Sequence, residues 1–74
     1  MLNNKELNCI EDNFSDVMQK NDYFVKTKQW IVCKFDVGTK PVAIYHNNGK
    51  LYKLMGTVDT IENAIRDIKL YEQR

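Results

Sequence analysis

The chain has 74 residues, of which 43% are hydrophobic, and its 11 Lys and Arg nearly balance its 10 Asp and Glu, giving a net charge of +1. This length fits a single domain over residues 1–74, and the apolar content suffices for one small core. With only one Pro and three Gly, the composition excludes a low-complexity or disordered segment.

Cysteine usage and hydropathy indicate the compartment. Cys9 and Cys33 are the only cysteines, and two isolated cysteines are typical of a reducing compartment rather than of a disulfide-stabilised secreted domain. The first residues lack the basic and apolar regions of a secretory signal. No apolar run approaches the ~18 residues that span a bilayer. The sequence therefore predicts a cytoplasmic protein with free thiols and no membrane association.

The first predicted element is a helix over residues 4–20. Asn3 and Glu6 have the spacing of a capping box at its start. Apolar residues then recur every three or four positions, which places them on one stripe of the helix. These residues are Leu7, Ile10, Phe14, Val17 and Met18.

Three antiparallel strands are predicted in the middle of the chain. Alternating apolar residues indicate a strand over residues 29–37. The Asn48-Gly49 pair is a strong hairpin signal between strands over residues 42–46 and 50–55. A two-residue turn there would pair Tyr45 with Tyr52, although a longer loop would change the register.

The last predicted element is a helix over residues 60–72, with Asp59 as its cap and an apolar stripe running from Ile61 to Tyr71. Each helix must bury a single stripe. We therefore predict an α+β fold, helix–three-stranded antiparallel meander–helix, in a two-layer α/β sandwich with both helices on one sheet face. One helix on each face is the alternative. The predicted core includes Phe14, Phe35 and Ile65.

The strand over residues 29–37 presents two different sets of side chains. Ile31, Cys33 and Phe35 alternate with Trp30 and Val32. We expect the first set to pack against the helices, so that Trp30 and Val32 face outward. If the indole instead belongs to the core, the exposed patch consists of Ile31, Cys33 and Phe35.

The sequence contains no recognisable catalytic or metal site. His46 is the only histidine and is predicted to be a solvated turn residue, whereas a general base needs a partner within hydrogen-bond reach. Ser15 and Cys33 fall in predicted regular structure rather than on a nucleophile turn. Neither a zinc-ligand spacing nor a glycine-rich phosphate loop is present. We therefore predict a non-enzymatic protein without metal or cofactor.

Charge is distributed unevenly along the chain. Residues 1–22 carry five acids and two lysines, a net charge of −3, and residues 23–56 carry six lysines and one aspartate, a net charge of +5. An acidic helix is thus joined to a sheet rich in lysine and aromatic residues. Lysines on a sheet edge also prevent strand-to-strand aggregation, an interpretation that requires no partner.

The favoured function is protein binding through the outward sheet face, since aromatic and methionine side chains with a basic rim are typical of such surfaces. The partner would be another protein or a second copy, as in a homodimeric structural subunit. A lysine- and asparagine-rich, arginine-poor composition also fits an AT-rich source, such as a phage or mobile element whose accessory factor inhibits a host macromolecular machine. The predicted binding residues are Trp30, Val32, Lys34, Ile44, Lys53 and Met55.

Nucleic-acid binding through the lysine- and aromatic-rich sheet is the alternative function. The order of elements resembles that of double-stranded-RNA-binding domains in topology. Those domains open their second helix with a basic cluster that holds phosphate, whereas residues 59–63 here are acidic, so the resemblance does not imply their activity. The absence of arginine from the predicted sheet also disfavours base-specific contacts.

Overall fold

The computed structural model describes residues 1–74 and contains two helices and five strands. The strands form one antiparallel sheet in which their spatial order is their order in the chain. The elements are α1 (Asn4–Asn13), β1 (Gln19–Lys20), β2 (Phe24–Lys26), β3 (Trp30–Lys34), β4 (Val42–Asn47), β5 (Tyr52–Val58) and α2 (Ile61–Glu72).

The predicted three-stranded meander is wrong, because β1 and β2 precede the three strands that the sequence indicated. Both lie where the end of the first helix and a short connection were predicted. The helix ends early because Asn13 turns its side-chain amide back onto the Cys9 carbonyl, at 2.8 Å, and Phe14 adopts extended backbone angles. Phe14 thereby reaches the core without continuing the helix.

Two tight turns connect β1, β2 and β3 without glycine or proline. The Asn21 side-chain oxygen accepts the backbone N–H groups of Tyr23 and Phe24 at 2.8 and 3.0 Å. In the next turn, the Thr27 hydroxyl accepts the Trp30 N–H at 2.9 Å, and the Thr27 N–H donates to the Trp30 carbonyl at 2.8 Å. Neither turn contains glycine or proline, which are the strongest turn signals in a sequence, and this explains why these strands were missed.

The β4–β5 hairpin has a longer loop than predicted. Asn47 pairs with Tyr52 and Tyr45 pairs with Leu54, so the predicted two-residue turn is wrong. The register differs by two residues at this end, and side chains alternate with a period of two. Tyr45 and Tyr52 therefore still share one face of the sheet.

Both helices pack on the same face of the sheet and share one core cluster. The strand residues of this cluster are Val25, Trp30, Val32, Val42 and Ile44. The remaining members come from the helices and the segments that flank them: Leu2, Ile10, Phe14, Ile61, Ala64, Ile65 and Ile68. The predictions that Phe14 and Ile65 belong to the core are confirmed.

The prediction that Trp30 and Val32 face outward is wrong, since they are only 3% and 2% exposed. The indole packs against the His46 and Tyr71 rings at centroid distances of 4.4 and 5.4 Å. Its N–H has no hydrogen-bond partner, which costs about 1–3 kcal/mol, but the large apolar ring area offsets that cost. Phe35 was predicted to be core and is 46% exposed, because β3 ends before it.

A partly buried ion pair joins α1 to the sheet. Lys34 donates to the Glu6 carboxylate at 2.7 Å, and Glu6 also completes the predicted capping box with Asn3. Burial raises the pKa of Glu6, but the hydrogen bonds from Lys34 and the Asn3 backbone, with the nearby positive charge, lower it more. The net result is a Glu6 pKa below its ordinary value of 4.5.

Replacing Trp30 by alanine should destabilise the fold strongly, because it leaves a cavity beside His46 and Tyr71. We expect Trp30→Ala to lower the free energy of unfolding by about 3–5 kcal/mol, measured by urea denaturation. Phe35→Ala is the matched control and should cost much less, since that ring is half exposed. Equal losses for the two variants would contradict the placement of the indole in the core.

The Glu6–Lys34 pair should make stability depend on pH. A carboxylate whose pKa is lower in the folded than in the unfolded protein stabilises the fold fully above its unfolded pKa, and this contribution is lost as the pH falls through the folded pKa. Glu6→Gln should therefore be less stable than the native chain at neutral pH, and the two should converge in acid. Urea denaturation across the acid range tests this, with Glu72→Gln at an exposed, unpaired position as control. If the free energy of unfolding of Glu6→Gln were lower than that of the native chain by the same amount at every pH, this prediction would be contradicted.

Candidate functional site

The sheet face opposite the helices carries a shallow apolar depression that no element of the fold covers. It is about 350 Å³ in volume and is lined by five hydrophobic residues. We call this surface the open face and define it by Phe24, Ile31, Cys33, Tyr45 and Tyr52.

Strand pairing brings the residues of the open face together. Phe24 lies opposite Cys33 on β2 and β3, and Ile31 lies opposite Tyr45 on β3 and β4. These pairs alternate with the buried pairs of the core, so their side chains point away from the helices. Cys33 is the floor of the depression at 8% exposed, and the other four are half-buried.

Tyr52 is held across the end of the open face rather than standing free. Its hydroxyl donates to the Thr27 carbonyl at 2.7 Å and to the Lys28 carbonyl at 3.2 Å. The Lys26 ammonium lies over its ring, 5.2 Å from the centroid, in a cation–π arrangement. One side of this depression is therefore held in place by contacts within the chain.

Three lysines lie at the end of the sheet where Tyr52 is held. The Asn47 amide donates to the Lys28 carbonyl at 3.1 Å, which joins the β2–β3 turn to the β4–β5 hairpin. Lys26, Lys28 and Lys50 form no salt bridge within the chain, although the Asp16 carboxylate accepts the Lys28 backbone N–H at 3.2 Å. We call these three lysines the basic end of the open face.

The six residues predicted to bind a partner do not form one surface. Trp30, Val32 and Ile44 lie in the core at 3%, 2% and 5% exposure. Their predicted exposure is wrong, because the helices cover the face to which they belong. Lys34 is on that covered side, where it pairs with Glu6.

The other two predicted binding residues are exposed but separate from the open face. Lys53 is exposed and pairs across the ladder with His46, a neighbour of the core. Met55 is 47% exposed and lines a groove between β5 and α2. The alternation of β3 identified Ile31 and Cys33 as the alternative patch, whereas the hairpin residues Tyr45 and Tyr52 were recognised only as sharing a face.

His46 is not the solvated turn residue that was predicted. Its half-buried ring lies 4.4 Å from the Trp30 centroid and 5.1 Å from the Tyr71 centroid, so it helps to close one end of the core. The chain has no group of three or more His, Cys, Asp or Glu side chains that could hold a metal ion.

A polar pocket beside the start of α2 is stabilised by its own hydrogen bonds. Asn63 donates to the Asp59 carboxylate at 2.6 Å and accepts from the Arg66 guanidinium at 2.6 Å. The Asn63 hydrogen bond holds the pKa of Asp59 below its ordinary value. Asp59, Asn63 and Arg66 therefore hold one another in place at this pocket.

Both cysteines are free, which confirms the prediction of unpaired thiols. Burial raises the pKa of Cys33, and burial followed by the carboxylates of Glu62 and Asp12 raises the pKa of Cys9. Since the thiolate is the reactive form, these raised pKa values lower the reactivity of both side chains.

No helix of the protein has both the length and the apolar character that crossing a membrane requires. No protein-family model, curated protein or solved structure matches the chain. Function must therefore be inferred from the surfaces described above.

The two thiols should report on the open face. Cys33 lies at the bottom of the depression and is less exposed than Cys9. We therefore expect iodoacetamide to alkylate Cys33 more slowly than Cys9 in the folded protein, and both at similar rates in urea, because reactivity follows thiolate fraction and access. Mass spectrometry of timed digests measures the two rates. Faster native alkylation of Cys33 would contradict its burial.

Proposed function

We propose that this chain is a small non-enzymatic protein-binding module that uses its open face as the binding surface. The observation that supports the proposal is the contiguous apolar depression opposite the helices, formed by Phe24, Ile31, Cys33, Tyr45 and Tyr52. Leu54 extends it, since it pairs with Tyr45 and is 51% exposed. Clustered apolar side chains left uncovered by the fold are a common feature of protein-binding sites.

The partner that fits this surface is a protein with exposed aliphatic or aromatic side chains beside Asp or Glu. Such a partner would fill the apolar depression and place its carboxylates near Lys26, Lys28 and Lys50, which have no salt bridge of their own. Complementary charge of this kind speeds association and fixes orientation. The braced Tyr52 reduces the ordering needed on binding, and less ordering favours affinity.

The contacts of Tyr52 and of Lys34 within the chain favour protein over nucleic acid as the partner. Stacking on a base requires a free aromatic face, and the Tyr52 ring already has the Lys26 ammonium over it. Lys34 is paired with Glu6 on the helix side and is therefore remote from the open face. The aliphatic Ile31 and the thiol of Cys33 occupy the middle of the depression, where a nucleic-acid surface would present stacking rings.

The narrower hypothesis concerns the role of such a module. Inhibition of a host macromolecular machine by a phage or mobile-element factor is compatible with a small domain that binds through one surface. This hypothesis rests on size and composition alone and stays a prediction of the sequence.

A charge placed in the middle of the open face should abolish partner binding while leaving the core intact. We expect Ile31→Glu to weaken binding by about 30-fold or more, as for a central interface residue. Tagged protein is incubated with lysate of the cell that encodes it, the captured polypeptide is purified, and its affinity is measured for each variant. Val37→Glu is the matched control, because Val37 is a β-branched residue that is 70% exposed outside the open face.

Three results of this experiment would contradict the proposal. One is equal binding by Ile31→Glu and the native chain. Another is equal loss in Val37→Glu, which would indicate a nonspecific charge effect. The third is capture that disappears after nuclease treatment, which would assign the open face to nucleic acid. Thermal denaturation of each variant confirms that it is folded.

A further inference from the structure

A second exposed surface lies on the helix side of the molecule, between α2 and the edge strand β5. Asp67, Leu70 and Tyr71 lie on one stripe of α2, and Arg74 follows two residues after the helix ends at Glu72. They line a groove of about 260 Å³ with Met55. We call these five residues the α2 patch.

The α2 patch is apolar at its centre and charged at its ends. Leu70 and Tyr71 are 53% and 40% exposed, and Met55 beside them is 47% exposed. Asp67 precedes them on α2, and Arg74 lies just beyond the end of the helix. Neither forms a salt bridge within the chain. Two unpaired opposite charges thus bracket an exposed apolar pair.

An added β-strand is a poor occupant of this surface, although β5 is an edge strand. Ile44 pairs with Gly56 and the next residue, Tyr45, pairs with Leu54, so Met55 is an extra residue in a bulge. Bulges and lysines on an edge strand oppose the addition of another strand, and Lys53 is exposed just before the bulge. The occupant must therefore pack mainly against α2.

We propose that the α2 patch binds a second copy of this chain, with the two α2 helices antiparallel about a two-fold axis. If the axis passes midway between Leu70 and Tyr71, Asp67 of each copy is level with Arg74 of the other copy. Arg74 stays close to the last turn of α2, because its backbone N–H donates to the Tyr71 carbonyl at 3.2 Å, so both ion pairs can form at once. Leu70 and Tyr71 then contact their counterparts between these pairs.

Charge complementarity is the reason for choosing a second copy over a foreign partner. A two-fold interface brings the same patch together twice, so the patch must complement itself. The order acid, apolar pair, base along α2 and the residues just after it has this property when it is reversed against itself. The open face lies on the opposite side of the sheet and stays uncovered, so this inference does not depend on the proposed function.

Charge reversal gives a direct test by sedimentation equilibrium over a range of protein concentrations. Asp67→Arg places two arginines together at each end of the interface, and Arg74→Asp places two aspartates together. Each single variant should raise the dimer dissociation constant about tenfold or more, because two repulsive contacts replace two attractive ones. The double variant Asp67→Arg/Arg74→Asp should restore dimerisation, since it only exchanges the ends of each pair.

Two controls complete the test. Leu70→Glu should dissociate the dimer by placing charge at its centre, and Ile31→Glu on the open face should leave it unchanged. A native chain that stays monomeric at the highest attainable concentration would overturn the proposal. A dimer that survives both single reversals, or one that only Ile31→Glu dissociates, would overturn it as well. Circular dichroism establishes that each variant is folded.

Discussion

The packing of Trp30 between the sheet and α2 is the contact on which the rest of the structure depends. A buried indole contributes more apolar area than any other side chain in this core, and it lies on the same strand face as Val32. Once that face is covered, Val25, Val42 and Ile44 follow it into the core through the ladder pairing. The alternating residues on the same strands are left outside, and they form the open face.

Because the helices cover only one face of the sheet, this chain of 74 residues leaves apolar side chains uncovered on the other face. A domain of this size buries only roughly 60% of the surface of its unfolded chain, and its two helices cover one side of the sheet. The other side must face water unless a partner covers it. Cys33 is buried and the other residues of the open face are half-buried, because they pack on each other. Tyr52 is also tied to the β2–β3 turn and has Lys26 over its ring. Such a surface is stable alone, yet it retains apolar area for a partner.

Electrostatics separates the two sides of the molecule in a similar way. On the helix side, the acidic α1 neutralises the sheet lysine nearest to it, since Glu6 holds Lys34. The lysines around the β2–β3 turn and the β4–β5 hairpin have no such partner in the chain. The acidic N-terminal segment therefore neutralises the basic central segment in only part of the fold. Three of the unpaired lysines, Lys26, Lys28 and Lys50, lie at one end of the open face, where they can attract an acidic surface over about a Debye length.

The sequence by itself determined the elements whose signals are local. The capping box of Asn3 and Glu6 begins α1 where it was predicted. Four residues of the predicted α2 stripe, Ile61, Ala64, Ile65 and Ile68, are buried, whereas Tyr71 is 40% exposed. Tyr45 and Tyr52 share a face as predicted, although the loop between their strands is longer. The early end of α1 could not be predicted, because it depends on the Asn13 amide returning to the Cys9 carbonyl. The strands β1 and β2 were missed because their turns contain no glycine or proline and are closed by backbone N–H groups that donate to the side chains of Asn21 and Thr27. Only the tertiary structure decided which face of β3 the helices cover. A strand with apolar residues on both faces has the same period whichever face is buried, and the choice follows from how well each face packs against the helices.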